Sequence, residues 1–322
     1  MAFCSGITAT TSDFSAAGRE IDPGKEIQVR KDWFYMNKSP VIKTPMRFAH
    51  RGLVQYAPEN TIPAYQAAID YGCEGIEMDI RLSKDGEVIV VHDSHFRRMT
   101  RGLLDKNIAD MTAEEILAVD LPYAGHLLPY DPPMPYSESE SSARTYTDEQ
   151  VEEFKKADQR VTHLVTFEQF DKWFETIPND VTIEIEFCTQ GLVVRMMEIL
   201  RQSKNCSRYI IFSGHESVNR EIQTYIRMHG KPEGLRVGAN LRRLNDKYME
   251  FIRNSDLYEV GLNDFWFTQE DVEALRKMGV LVFSNLGDYP EWWQKVNEWG
   301  IAGFKTNYAE AYTDWRVKNP EI

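Results

Sequence analysis

The chain has 322 residues, 42% of them hydrophobic and 27% charged, a balance that supports a packed core and excludes disorder and fibrous repeats. Its 37 basic and 50 acidic side chains leave a formal charge of −13. That argues against nucleic acid or an anionic membrane as a general partner, so any anionic substrate has to be captured locally.

No run approaches the roughly 18 uncharged apolar residues of a membrane-spanning helix. The opening MAFCSGITATTSDFSAAG also lacks the basic flank and apolar block of a signal peptide. The expectation is a cytoplasmic chain without stable membrane insertion, with an exported mature form whose signal has been removed as the alternative. Cys4, Cys73, Cys188 and Cys206 are scattered without zinc-ligand spacing, so reduced, mostly buried thiols are expected.

Residues 1 to about 45 hold no sustained period and contain PGK and SPVIKTP, which reads as an N-terminal arm. From Met46, short apolar runs alternate with amphipathic stretches that end in Gly or Pro. Strands are expected at 46–49, 75–81, 181–187, 208–213, 235–240, 258–262, 280–285 and 302–306, and helices at about 61–71, 166–176, 191–203, 216–229, 245–255, 269–278 and 290–299. This alternation over 46–322 predicts an α/β fold, a (β/α)8 TIM barrel, whose usual size is ~250 residues. Two interruptions stand out. KDGEVIVV at 84–91 predicts a small hairpin or extra strand after the second strand. The Pro-, Ser- and Tyr-rich stretch at about 121–164 is too long for an ordinary connection and reads as an inserted lid or subdomain over one mouth of the barrel.

Successive side chains of a strand point to opposite faces. In GIEMDIR, Glu77, Asp79 and Arg81 therefore share one face and Ile76, Met78 and Ile80 the other; TIEIEF repeats the arrangement with Glu184 and Glu186. The apolar faces belong against helices, so four carboxylates point into the barrel. Two unit charges ~4 Å apart repel by ~4 kcal/mol at an effective dielectric near 20, so such a cluster needs protons, basic partners or a cation. Arg81 and Lys305 are candidate basic partners; an oxygen-only ligand set otherwise suits Mg²⁺ or Ca²⁺. A single acidic strand would read as solvated ion pairs, but two with the same alternation favour a metal site.

His50 follows the first strand in HRG, and His92 closes EVIVVHD. Both stand where strands deliver residues to the mouth, and two imidazoles flanking a substrate can serve as base and acid. Arg51 offers a planar donor pair for phosphate oxygens. His95, His126, His163, His215 and His229 read as structural, with His95 held in reserve. Trp266, after the sixth strand, reads as a pocket wall for the leaving group, whereas Trp292, Trp293 and Trp299 read as helix packing.

HRGLVQYAPENTIPAYQAAIDYGCEGIEMDIRLSKDGEVIVVHD resembles the signature of the glycerophosphodiester phosphodiesterase family: HRG, APENT, E-x-D, DG, then an apolar run closed by HD. THLVTFEQFDKWF, TIEIEF, RYIIFSGH and GIAGFKTNYAEAY extend the resemblance more weakly across most of 46–312. It implies a metal-dependent phosphodiesterase barrel with Glu77, Asp79 and Glu184 as ligands of one divalent cation, His50 and His92 as the acid–base pair, and Arg51 on the phosphate. Glu59, in APENT, matches the family's acidic residue near the metal; it also fits a helix N-terminus, favoured by the dipole. Asn60 or Thr61 is expected to cap that helix, with Pro63 in its first turn.

The departures from the family pattern carry information. Its second acidic strand usually reads E-x-K, and here Glu186 stands in place of the lysine, as a possible additional ligand. Asn307 stands where Asp commonly follows Thr, and Lys305, two residues earlier, is a candidate substrate contact. The expected reaction is hydrolysis of a glycerophosphodiester, or a small lysophospholipid-like diester, to glycerol phosphate and an alcohol, with His50 as base and His92 as acid. Water or a neighbouring substrate hydroxyl can attack. Two alternatives stand beside it: a sphingomyelinase D-like lyase forming a cyclic phosphate, and a catalytically silent phosphodiester-binding barrel.

Overall fold

The computed structural model describes residues 45–100, 102–123, 159–241, 244–262 and 267–322. Within it the expected strands close into a (β/α)8 barrel. Its parallel staves are β1 (Met46–His50), β2 (Gly75–Leu82), β6 (Thr182–Phe187), β7 (Tyr209–Phe212), β8 (Arg236–Leu241), β9 (Glu259–Leu262), β10 (Leu281–Ser284) and β11 (Gly303–Thr306). Pairing of β1 with both β11 and β2 closes the ring. Helices Ile62–Tyr71, Phe167–Phe174, Val193–Gln202, Glu216–His229, Asp246–Arg253, Gln269–Lys277 and Pro290–Glu298 fall at the expected places.

The extra strand after the second stave is β3 (Val88–Val90), antiparallel to β2 with Ile80 opposite Val90. Gly86, at φ 84°, makes the turn that returns the chain. Two further strands, β4 (Leu121–Pro122) and β5 (Val161–Thr162), pair antiparallel and bring together the two ends of the expected insertion. Its residues 124–158, and 1–44 of the expected arm, lie outside the described residues.

Alternation along the staves decides what is inside. Ile76, Met78, Ile80, Ile183 and Ile185 pack outward in one apolar cluster with Phe167, Phe170, Met196 and Met197 of the surrounding helices. A second cluster joins Val260, Val282 and Phe304 to Trp292, Trp293 and Tyr312, which bears out the packing role of the first two tryptophans. Inside the barrel, Phe48 packs with Met46, Ile210 and Phe283 as an apolar plug. A Cβ on Gly75 would sit 2.3 Å from the Phe48 ring, so glycine there is what admits the ring. Farther along the same inward faces stand acids and His50, while His92 follows the extra strand β3.

Helix Ile62–Tyr71 departs from expectation at its start. Thr61 is at the cap position but makes no side-chain cap; its hydroxyl donates to Pro58 O. Asn60 is left-handed, φ 56°, and its amide goes to the barrel interior instead. Helices Ala113–Leu117 and Ala309–Lys318 were not foreseen. Cys73, Cys188 and Cys206 are free and buried, as expected. Among the described residues, no helix is long and apolar enough to cross a membrane.

Candidate active site

β2 and β6 run in register with Glu77 opposite Glu184 and Asp79 opposite Glu186. Of these four inward carboxylates, Glu77, Asp79 and Glu186 converge: one oxygen from each lies within 4.8 Å of the others. Burial, then Asp79 and Glu186, push the Glu77 carboxyl well above the usual carboxylate range. Burial and Asp79 likewise raise Glu186. Burial opposes the charge on Asp79 too, but His92, Arg51 and Asn60 outweigh it and hold its carboxyl below the usual carboxylate range, in the ionised form. Asn60 Nδ2 donates to Asp79 Oδ2 at 2.9 Å, and the Gly214 N–H donates to Glu186 Oε1 at 3.1 Å. Three converging oxygens, two of them costly to ionise, form a donor set that fits a hard divalent cation.

Glu184 is not among the three. Its Oε1 accepts from Lys305 Nζ at 3.1 Å, with both side chains buried. The Lys305 ammonium also lies 4.4 Å from the centre of the Phe212 ring. The lysine expected to meet substrate is thus committed to the carboxylate expected to meet metal. The reason is topological: β11 delivers an ammonium to the inward face of β6, one step below Glu186.

The histidines have different partners. His50 ends β1, is 8% exposed, and places Nδ1 2.8 Å from Asn307 Oδ1 and Nε2 3.9 Å from Glu77 Oε2. His92 follows β3, and its Nδ1 is 2.7 Å from Asp93 Oδ1. Burial and Arg51 pull the His92 imidazole down, but Asp79, the Asp93 hydrogen bond and Glu59 carry it above its ordinary value. Both rings act on the charge of Asp79.

Glu59, His92 and Asp93 form another acidic group, which cationic side chains already serve. Arg98 donates to Asp93 Oδ2 at 2.8 Å and to Glu59 Oε2 at 2.7 Å. Arg51 donates to Glu59 Oε1 at 3.1 Å and sets its Nε 3.2 Å from Asp79 Oδ2. Arg51 therefore bridges Glu59 and Asp79, with a left-handed backbone, φ 59°. His95 stands 3.7 Å from Asp105 and is half exposed, and Trp266 lies outside the described residues. The partners that sequence reading missed are Asn60, Asp93, Arg98 and Asp288. Only Asp93 had a local signal, its place beside His92 in VVHD.

The fold and site together are those of a (β/α)8 barrel with buried carboxylates and two histidines near one mouth. The chain belongs to the glycerophosphoryl diester phosphodiesterase family, whose model matches residues 50–311. It is 44% identical over 72 residues to a glycerophosphodiester phosphodiesterase of Caldanaerobacter subterraneus subsp. tengcongensis, covering 22% of this chain and 29% of that protein. Over 85 residues it is 39% identical to glycerophosphodiester phosphodiesterase 1 of Bos taurus, covering 26% of this chain and 25% of that one. The matched segments thus span less than a third of these curated relatives.

Solved structures agree over nearly the whole fold. A putative glycerophosphodiester phosphodiesterase of Galdieria sulphuraria aligns with a TM-score of 0.66 at 17% identity, over 87% of this chain and 100% of that one. An Oleispira antarctica phosphodiesterase, in complex with the product sn-glycerol-3-phosphate, aligns with a TM-score of 0.62 at 19% identity, over 85% and 97%.

Proposed function

We propose that this protein hydrolyses a glycerophosphodiester to glycerol phosphate and an alcohol. The observation that carries the reading is the convergence of Glu77, Asp79 and Glu186 beside two histidines with unlike partners. Family membership and the product named with the Oleispira antarctica structure support the substrate class.

Glu77, Asp79 and Glu186 would hold one divalent cation, Mg²⁺ or Ca²⁺; when bound, it supplies Lewis-acid withdrawal of charge from a phosphoryl oxygen. Arg51, fixed by Glu59 and Asp79, orients a nonbridging oxygen. His50 faces a neutral amide and serves as base, taking the proton of an attacking water. His92 is held toward its protonated form by carboxylates and gives its proton to the departing alkoxide. Asp93 keeps the His92 ring oriented, and Arg98 holds Asp93 and Glu59 in place. Glu184 and Lys305 neutralise one another below and leave the third ligand position to Glu186.

Phosphorus NMR of purified protein with glycerophosphodiesters, in Mg²⁺, Ca²⁺ or EDTA, tests this. Glycerol phosphate should accumulate with a cation and stop accumulating in EDTA. Turnover indifferent to EDTA removes the cation from the reading. A persistent cyclic phosphate contradicts attack by water, and binding without turnover identifies a silent barrel.

A further inference from the structure

We propose that Asp288 fixes the tautomer of His50, acting through the side-chain amide of Asn307. The proposal rests on the reading of His50 as base, and it concerns a residue whose hydrogen bonds run to Thr306 and Asn307. Asp288 follows β10 and is fully buried. Its Oδ1 accepts from Thr306 Oγ1 at 2.7 Å and from the Asn307 N–H at 2.9 Å. Its Oδ2 accepts from Asn307 Nδ2 at 2.8 Å.

Both Asp288 oxygens accept, and Oδ2 does so from the Asn307 NH₂ group; in the proposal Asp288 is ionised and has no hydrogen to give, which holds that edge of the amide toward it. This turns Asn307 Oδ1 toward His50, 2.8 Å from Nδ1. An amide oxygen only accepts, so Nδ1 carries the proton. A neutral imidazole has one N–H, which leaves the lone pair on Nε2, the nitrogen on the Glu77 side. The orientation of the amide thus follows from the chemistry of its two neighbours. Asp288 is a positioning residue: its charge sets the amide, and the amide sets the ring.

Asp288→Asn keeps the shape and reverses the logic. Its oxygen can still accept from Thr306 and the Asn307 N–H, while its NH₂ now faces the Asn307 side chain. Asn307 has to answer with its oxygen, which turns its NH₂ toward His50 Nδ1. That nitrogen then accepts, and the proton moves to Nε2, where a base needs its lone pair. The reciprocal double variant, Asp288→Asn with Asn307→Asp, restores an acceptor in front of Nδ1 with the same total charge.

The test is ¹⁵N–¹H NMR of ¹⁵N-histidine-labelled full-length protein, with His50 assigned against His50→Gln, alongside turnover of a glycerophosphodiester. Wild type should show Nδ1–H, Asp288→Asn should show Nε2–H, and the double variant should return to Nδ1–H. kcat should fall by about 10²–10⁴-fold, the usual contribution of a general base, in the single variant, with KM little changed, and recover in the double. Retention of Nδ1–H in folded Asp288→Asn overturns the proposal, as does Nε2–H in wild type. If wild type turns over no diester, the spectra still decide the tautomer and only the reading of His50 as base falls. A reversed tautomer with undiminished kcat likewise supports the lock and overturns that reading.

Discussion

Replacing His92 with glutamine is expected to lower kcat on a glycerophosphodiester by about 10²–10⁴-fold, the usual contribution of a positioned acid, with little change in unfolding midpoint. The His92 side chain is 28% exposed, so glutamine leaves no large cavity, and its amide can still donate to Asp93. The loss should fall on kcat rather than KM, because proton donation to the alkoxide is realised only in the transition state. A substrate with a nitrophenol leaving group needs little protonation and should lose much less. Steady-state kinetics on the two substrates checks this: an equal loss on both would remove His92 from the acid role.

The largest effect on stability is expected at Lys305. Lys305→Met should destabilise the fold by about 3–5 kcal/mol, the range for stripping one partner from a buried ion pair. Glu184 is fully buried, its second oxygen has no hydrogen-bond partner, and the methionine would remove its ion-pair partner and leave only the weaker attraction of Arg236. Glu259, also fully buried, adds to the cost: burial and Glu184 push its carboxyl well above the usual range, and Lys305 is the group that opposes them. Adding Glu184→Gln to Lys305→Met should recover most of the loss, because the unpaired charge is then gone. Urea unfolding of both variants measures it. A single-variant cost under about 1 kcal/mol, the scale of an exposed pair, would contradict the buried pairing.

The barrel was legible in the sequence because its staves are short apolar or alternating runs punctuated by Gly, Pro and amphipathic helices. Helix Ala309–Lys318 was not, since in AEAYTDWRVK only Tyr312 and Trp315 mark one face, stacked three residues apart, while Val317 turns to solvent. Period-two alternation identified the inward faces of β2 and β6, but it could not choose between Glu184 and Glu186. What sets the two apart is Lys305, 121 residues beyond Glu184 in sequence, which pairs with Glu184 and not with Glu186 in the proposed arrangement. It also gives Glu186 a physical setting: the ammonium that the family pattern places on the second acidic strand comes here from β11, and it meets the neighbouring glutamate.

Histidine placement was legible from strand ends, whereas the partner of His50 lies 257 residues away and Asp288 sits in a loop with no motif. Asn60 was misread for a local reason. Next to Thr61 and Pro63 it has the surroundings of a helix cap, but a left-handed backbone turns its amide inward to accept from Asp79 N at 3.2 Å and from Tyr65 OH at 2.8 Å. Capping propensity lost to the demands of a buried carboxylate.

The central claim is that Glu77, Asp79 and Glu186 hold the cation while Glu184 serves Lys305. Calorimetric titration of Mg²⁺ into wild type, Glu186→Gln and Glu184→Gln tests it most directly. Outer partners of metal ligands typically cost 10–100-fold in affinity when lost, so loss of a ligand should weaken binding by more than about tenfold. The account predicts that loss in Glu186→Gln and a much smaller one in Glu184→Gln. The reverse order, or no binding by wild type, would contradict it.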